Sequence, residues 1–124
     1  MPRKFKQAAL EQVLKRLCQQ ADCQAAAIAS AAEGLLVTSA GAEIETMAAV
    51  AAKLPVWVGR LPRLDPVEEI MIRGHAGHQV VCRYFTSRGD ALILIVVARA
   101  GTAYRQRVGE AVRELQAVWE GQRP

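Results

Sequence analysis

Two histidines are the residues of this chain whose type and spacing best suit metal chemistry. His75 and His78 flank the dipeptide Ala76-Gly77, and histidine nitrogen is a common ligand of zinc. A metal site would need a third protein ligand and an open coordination position, and the pair alone supplies neither. We expect both histidines to be exposed polar residues of a turn, and the sequence predicts no bound metal.

Acidic and nucleotide-binding patterns are equally sparse. Glu68 and Glu69 are adjacent, and adjacent residues of a strand point to opposite faces, so the two carboxylates do not share a substrate. No glycine-rich loop followed by Lys-Ser or Lys-Thr occurs, so we do not expect the chain to be a nucleotide hydrolase. Since no catalytic constellation is visible, we predict a protein that is not an enzyme and holds no cofactor.

The three cysteines, Cys18, Cys23 and Cys82, include no Cys-x-x-Cys pair. Their odd number argues against a disulfide framework, and their spacing does not indicate a zinc site. Cys82 lies in an apolar stretch and is expected to behave as a small buried hydrophobe. We therefore expect reduced thiols in a cytoplasmic protein.

The formal net charge is +4, and the charged residues are spread along the chain and interleaved with glutamate. Nucleic-acid binding needs basic residues gathered on one face. The only cluster is Arg3, Lys4 and Lys6, and a short basic end is more often a mobile tail than a binding arm. No nucleic-acid partner is predicted.

The chain of 124 residues fits one domain, which we place at 1–124 with a flexible basic tail at 1–6 and a flexible end at 120–124. Charged residues follow the N-terminal basic cluster where a signal peptide would have an apolar segment. No stretch approaches the roughly 20 consecutive apolar residues of a membrane-spanning helix. Neither export nor stable membrane insertion is expected.

The elements of the fold are organised around the run Ala91–Ala98, which contains no polar side chain. Side chains of a strand alternate between the faces of a sheet, so an unbroken apolar run predicts a strand that is covered on both faces. The run is short for a helix and rich in β-branched residues, which also favours a strand. We therefore predict a central strand with helices on both faces of its sheet.

The other elements follow from apolar spacing and from turn residues. Helical spacing predicts three amphipathic helices, and alternating apolar residues bounded by glycine turns predict four further strands. The helices are predicted at about Phe5–Ala21, from near Ala42 to at least Val58, and from an N-cap at Thr102 to about Trp119; the strands at Cys23–Ser30, Leu35–Thr38, Val67–Arg73 and Gln79–Phe85; and loops at Ser39–Ala42 and Thr86–Asp90. The predicted order is α-β-β-α-β-β-β-α.

The second helix carries an anomaly and a surplus of apolar residues. Pro55 lacks an N–H and costs about 3 kcal/mol in a straight helix interior, so we expect a kink or a restart there. Val50, Val56 and Trp57 lie off the stripe that would pack on the sheet, and Met71 lies on a strand expected near the sheet edge. Because an open edge favours pairing with another chain, we predict a homodimer.

The order of elements and four segments resemble the roadblock family, the domain of roadblock-type dynein light chains and of bacterial GTPase regulators. Ala27–Ser39 is similar to the first hairpin of the family, and Glu43–Val50 is similar to its Ala-rich second helix. Val67–Gly74 resembles the third strand, and Leu92–Ala98 resembles the fifth. The resemblance covers nearly the whole chain.

This resemblance implies an α/β fold of the α+β type, roadblock/profilin-like, in which a five-stranded antiparallel sheet has two helices on one face and one on the other. It implies a homodimer in which third strands and second helices meet. The implied contact residues are Met47, Val50, Lys53, Leu54, Trp57, Glu69, Met71 and Arg73. Pro55 departs from the uninterrupted second helix that is usual in the family.

Family members commonly bind small Ras-like GTPases as activators or scaffolds. The resemblance therefore implies a non-enzymatic, homodimeric regulator or scaffold of a small GTPase. A small-ligand sensing module or a general protein-interaction module is the alternative, because an antiparallel sheet flanked by helices can hold a pocket.

Overall fold

The run Ala91–Ala98 lies in the central strand of a five-stranded sheet. The computed structural model describes residues 2–20, 23–41, 45–58, 66–74, 77–99 and 104–121. Within these ranges the elements follow the predicted order: α1 (Pro2–Gln20), β1 (Cys23–Ser30), β2 (Leu36–Gly41), α2 (Glu45–Val58), β3 (Glu69–Arg73), β4 (His78–Ser87), β5 (Asp90–Arg99) and α3 (Arg105–Trp119). The sheet is antiparallel throughout, with the strand order β2-β1-β5-β4-β3.

Both faces of β5 are buried, as the unbroken apolar run predicts. Leu92, Leu94 and Val96 pack with α1 and α3 in the larger part of the core. Ile93 and Ile95 alternate with them and pack with α2 on the other face. The two helices on one face and the single helix on the other confirm the predicted arrangement, because each face of the strand is buried by a different helical layer.

Small side chains allow α2 to lie close to the sheet. Ala48 and Ala51 of the helix belong to the same buried cluster as the alanines of β1, which are Ala25, Ala27 and Ala29. The turn between β1 and β2 also touches the helix, since a Cβ added to Gly34 would lie 3.0 Å from the Cα of Ala49. The position of α2 is therefore set by β1 and its hairpin together with β5.

Several predicted boundaries are wrong by a few residues. The backbone of α1 is helical from Pro2, because proline is tolerated in a first helical turn, where its N–H would have no partner. The N-cap of α3 is Tyr104, without a side-chain cap hydrogen bond, and the predicted cap Thr102 lies outside the described residues. Flexibility of the two chain ends stays a prediction.

Two predicted loops are shorter than expected because strand pairing continues into them. β2 extends through Gly41, which is paired with Ala25, so the predicted loop at Ser39–Ala42 is wrong for its first three residues. β4 and β5 pair as far as Ser87 and Asp90, which leaves a two-residue turn in place of the predicted loop Thr86–Asp90. Both residues of that turn, Arg88 and Gly89, have positive φ, as the turns that suit twisted hairpins require.

Candidate interaction surface

α2 covers only part of its face of the sheet. Five strands about 4.8 Å apart span roughly 20 Å, whereas one helix with its side chains is about 10 Å across. α2 packs on β1 and β5, at the β2 side of the sheet. Among the described residues no second helix lies on this face, whereas α1 and α3 both cover the opposite face.

An apolar groove of about 210 Å³ lies between α2 and the strands β3 and β4. We call it the α2–β3 groove. It is lined by Met47, Val50, Ala51 and Leu54 of α2, by Ile72 of β3, and by Val80 and Cys82 of β4. Val50 and Ile72 on its rims are each 47% exposed. Large apolar side chains exposed together in this way are typical of a contact surface.

The groove lies beside an open edge of the sheet. Among the described residues, β3 is the last strand of the sheet order and pairs with β4 on one side only. Every second N–H and C=O group of such a strand points away from the sheet and is available to another chain. The prediction that Met71 lies on an edge strand is confirmed, and its side chain is 44% exposed.

Part of the set of predicted contact residues comes together in this groove. Met47, Val50 and Leu54 line it side by side, one helical turn apart on α2. Lys53 is exposed on the same helix. The side chain of Trp57 lies outside the described residues, although its backbone belongs to α2. Their role as an interface stays a prediction.

The three predicted residues of β3 face the other side of the sheet. The Tyr104 hydroxyl, which belongs to the core on the α1 and α3 side, donates a hydrogen bond to Sδ of Met71 at 3.4 Å. Glu69 shares that face and accepts from Nη2 of Arg83 at 3.3 Å. Arg73 lies on that face as well, because it is two residues beyond Met71 and strand side chains alternate between the two faces. These side chains flank the open edge but do not line the α2–β3 groove.

Four groove residues are absent from the predicted contact set, and Ile72 is the most exposed of them; the others are Ala51, Val80 and Cys82. The alternation of Ile70 and Ile72 along β3 was visible in the sequence, and it predicts a buried face. Ile70 is half-buried and packs against the α2 cluster, whereas Ile72 lies across the groove from α2 and is 47% exposed. The apolar residue was the available signal, and its exposure depends on how far one helix extends over the sheet.

α2 runs through Pro55 without a restart, and a tyrosine of the sheet explains how. In a regular helix the N–H of residue 55 would donate to the carbonyl of Ala51, but proline has no N–H. The hydroxyl of Tyr84 on β4 donates to that carbonyl instead, at 2.7 Å. We call this contact the Tyr84 anchor, because it ties α2 to the sheet beside the groove.

Burial raises the pKa of the Cys82 thiol from 9.0 to about 11, against a smaller opposing effect of the hydrogen bond with Tyr84. Burial is also the main cause that raises the pKa of Tyr84, and Cys82 adds to it. Both groups hold their protons more tightly in the folded chain than in the unfolded chain.

Alkaline pH is therefore expected to destabilise the fold through Cys82. Above pH 9.0 the unfolded chain loses the thiol proton, whereas the folded chain keeps it up to about pH 11. The stabilisation is complete below that window and is lost as the pH rises through it. Denaturant unfolding should show the free energy of unfolding falling by about 1 kcal/mol between about pH 8 and about pH 10 from this group. An equally steep decline in the Cys82→Ala variant would contradict the assignment.

The structure offers no clear metal site among the residues it describes. No group of three or more His, Cys, Asp or Glu side chains is placed to hold an ion within those residues. His78 is exposed, and its Nε2 lies 3.0 Å from Nε2 of Gln24, while His75 lies outside the described residues. In the described part of the chain, none of the helices combines the length and the hydropathy of a membrane span.

Solved structures with a similar fold are known, although the sequence matches no described family. No family model and no curated protein matches the sequence. MglB of Myxococcus xanthus superposes with a TM-score of 0.76 at 20% identity, over 93% of this chain and 90% of that chain. The chain shares its fold with MglB.

Two further solved structures support the same assignment of fold. The gliding protein MglB of Thermus thermophilus gives a TM-score of 0.76 at 14% identity, over 98% of this chain and 93% of that chain. An MglB structure described as having a tetrameric arrangement gives 0.75 at 14% identity, over 98% of this chain and 92% of that chain. The MglB fold is roadblock-like, so the fold that the family resemblance implied is confirmed.

Proposed function

We propose that this chain is a non-enzymatic, homodimeric regulator or scaffold that binds a small Ras-like GTPase. The observation that carries the proposal is the α2–β3 groove, an apolar surface that lies beside the open edge of β3. A second copy of the chain is the occupant that fits both features at once.

Two-fold symmetry explains why a second copy fits. Antiparallel pairing of β3 with the β3 of another copy relates the two chains by a two-fold axis and satisfies both open edges. The combined sheet then carries α2 of each copy on the same face. Because Val50 of α2 and Ile72 of β3 are exposed in the single chain, the two helices can meet over the β3 strands and bury both residues.

The partner class rests on the family resemblance and on the fold shared with MglB. Roadblock proteins commonly bind Ras-like GTPases, and the sequence has no phosphate-binding loop of its own. The nucleotide therefore belongs to the partner, and this chain supplies a binding surface. Whether it activates hydrolysis or acts as a passive scaffold is decided by a hydrolysis assay.

The groove gives little support to the alternative of a small-ligand sensor. Ligand pockets typically enclose about 300–1,000 Å³ and combine apolar walls with a few convergent polar groups. The α2–β3 groove has a volume of about 210 Å³, and its lining side chains are aliphatic or sulfur-containing. A protein surface matches these properties better than a metabolite does.

Replacement of Ile72 by Lys is expected to weaken the dimer at least about tenfold, because it places a charge in the apolar contact and removes buried area. Sedimentation equilibrium over a dilution series measures the dissociation constant. Leu35→Lys is the matched control, since Leu35 is 62% exposed on the β1–β2 hairpin, away from the groove. A monomeric wild-type chain at micromolar concentration, or equal dissociation constants for the two variants, would contradict the dimer.

The GTPase is tested separately with the wild-type chain. Purified small Ras-like GTPases, loaded with GDP or with a non-hydrolysable GTP analogue, are titrated by calorimetry, and GTP hydrolysis is then followed with and without this chain. We expect saturable binding that differs between the nucleotide states. Faster hydrolysis would assign an activator, and unchanged hydrolysis a scaffold. No binding in either state by any of them would refute this part of the proposal while leaving the dimer intact.

A further inference from the structure

Hydrogen bonds at the two ends of β3 show which of its residues direct their backbone groups away from the sheet. The N–H of Tyr84 donates to the carbonyl of Glu68 at 2.8 Å, and the N–H of Gly74 donates to the carbonyl of His78 at 2.7 Å. In an antiparallel pair, residues that exchange such bonds alternate with residues that do not. The even-numbered residues of β3 therefore bond to β4, and the odd-numbered residues direct their N–H and C=O groups toward the open edge. These are Glu69, Met71 and Arg73.

The side chains of the same three residues carry a charge pattern that can match itself. Glu69 and Arg73 have opposite charges and are equally spaced on either side of Met71. A two-fold antiparallel pairing centred on Met71 sets this residue opposite its own copy. It also sets each Glu69 opposite Arg73 of the other copy, so that opposite charges meet twice in one dimer.

We propose that the homodimer forms in this register and that its two Glu69–Arg73 ion pairs select the register. The inference rests on the homodimer proposed above and adds its alignment and the residues that determine its specificity. A shift of two residues in either direction would set Met71 opposite Glu69 or opposite Arg73, and both ion pairs would be lost. A shift of one residue would exchange the two faces of the strand.

Both charged side chains are available for this contact. Arg73 is exposed and forms no ion pair with another described residue. Oε1 of Glu69 accepts from Nη2 of Arg83 at 3.3 Å, which orients the carboxylate, and its second oxygen can accept from another donor. The side chains of Glu69 and Arg83 are only 25% and 29% exposed, so a further charge placed beside them is partly shielded from water.

A buried amide beside Arg73 supports the same arrangement. Gln79 lies directly opposite Arg73 in the pairing of β3 with β4 and is only 2% exposed. Its Oε1 atom has no hydrogen-bond partner among the described residues, and an unpaired buried acceptor is costly. A guanidinium has several N–H donors, so Arg73 can donate to Gln79 of its own chain and to Glu69 of the other copy. Donors and acceptors then alternate across the junction, in the order Arg83, Glu69, Arg73, Gln79.

The apolar face of β3 is satisfied by the same register. Ile70 of each copy lies opposite Ile72 of the other, in the pairs without backbone hydrogen bonds, where side chains approach most closely. Ile72 is 47% exposed in the single chain and lines the α2–β3 groove. Contact with Ile70 of the other copy buries it. One alignment therefore pairs the charges on one face and the isoleucines on the other.

Charge reversal tests the ion pairs. In a homodimer, Glu69→Arg or Arg73→Glu sets like charges opposite each other twice, so each variant alone should dimerise at least about tenfold more weakly than the wild type. An equimolar mixture of the two variants restores both attractive pairs and should form the mixed dimer in preference to either homodimer. Sedimentation equilibrium measures the dissociation constants, and native mass spectrometry separates the three dimers by mass.

A double variant and a distant pair of variants are the controls. Glu69→Arg combined with Arg73→Glu in one chain exchanges the two charges and should restore dimerisation. Glu33→Arg and Arg113→Glu change the net charge equally at exposed residues outside β3. Neither should weaken the dimer, and their mixture should show no preference for the mixed dimer. Circular dichroism checks that every variant is folded.

Disulfide cross-linking identifies the register without changing a charge. In the proposed register the Cα atoms of the two Met71 residues are about 5.5 Å apart, which a disulfide can span. The two copies of Ile72 are offset along the strands, with Cα atoms roughly 8 Å apart, which is too far. Met71→Cys should therefore form a covalent dimer under mild oxidation, and Ile72→Cys should not. The wild-type chain, with its three cysteines, is the blank on a non-reducing gel.

Failure of the register can be told apart from failure of the dimer. If Ile72→Lys weakens the dimer but both charge reversals leave it intact, the ion pairs do not select the register and the inference is overturned. Cross-linking of Ile72→Cys in place of Met71→Cys would overturn it as well. Either result leaves the proposed homodimer standing, whereas a monomeric wild-type chain would refute both.

Discussion

Replacement of Gly41 by Ala is expected to lower the free energy of unfolding by about 3 kcal/mol, because the residue combines a positive φ with close contact to a neighbouring strand. Gly41 has a φ of +90°, a conformation that residues with a side chain rarely adopt. A Cβ there would lie 2.2 Å from the carbonyl oxygen of Gln24 and 2.8 Å from the Cα of Ala25. Both contacts are with backbone atoms of β1, so the end of β2 must separate from its partner.

Gly109→Ala is the matched control with the opposite expected sign. Gly109 lies inside α3, has an ordinary helical φ, and would have no atom within 4 Å of an added Cβ. Alanine there should raise the free energy of unfolding by about 0.4–1 kcal/mol, because it restricts the unfolded chain and favours helix. Denaturant titration followed by circular dichroism measures both variants. Equal effects at the two glycines would refute the contact at Gly41.

Removal of the Tyr84 hydroxyl is expected to cost about 2 kcal/mol, because Tyr84→Phe leaves the carbonyl of buried Ala51 without a donor. The cost should depend on the identity of residue 55. In a Pro55→Ala background the alanine supplies the N–H that proline lacks, so the carbonyl keeps a helical hydrogen bond when the hydroxyl is removed. We expect the cost of Tyr84→Phe to fall to about half or less in that background.

Unfolding free energies of the four chains in this double-mutant cycle measure the coupling. Tyr104→Phe is the matched control, since its hydroxyl donates to the thioether sulfur of Met71 at 3.4 Å, a weak acceptor. Its loss should cost about 0.5 kcal/mol or less. An unchanged cost of Tyr84→Phe when Pro55 is replaced would show that the hydroxyl does not substitute for the missing N–H.

The Tyr84 anchor also links fold and proposed function. It joins Tyr84 of β4 to Ala51 of α2, about one helical turn before Leu54. Ala51 and Leu54 both line the groove. Loss of the anchor should therefore disturb the α2–β3 groove before it disturbs the core on the other face, which contains α1 and α3. In the dimer assay, Tyr84→Phe should weaken association, and Tyr104→Phe should not.

The sequence by itself determined the order of elements and the central position of β5. Burial on two faces leaves an unbroken apolar run, burial on one side of a helix leaves spacing of three and four residues, and glycine marks turns, so each signal is local. Boundaries were less accurate where pairing with a distant strand extended an element, as Ala25 does for Gly41 in β2. These errors changed the lengths of loops but not the topology.

Only the tertiary structure decided where the candidate surface lies and which residues distant in the sequence contact each other. Ile72 has the pattern of a buried residue, yet it is 47% exposed, because α2 packs mainly on β1 and β5 and leaves a groove between itself and this end of β3. Pro55 is tolerated because the hydroxyl of Tyr84, on β4, donates to the carbonyl of Ala51 that the proline leaves without an N–H donor. Local periodicity indicates which residues share the apolar face of an element. How much of that face is covered depends on the lateral position of a helix on the sheet, which is set by contacts between residues far apart in the sequence.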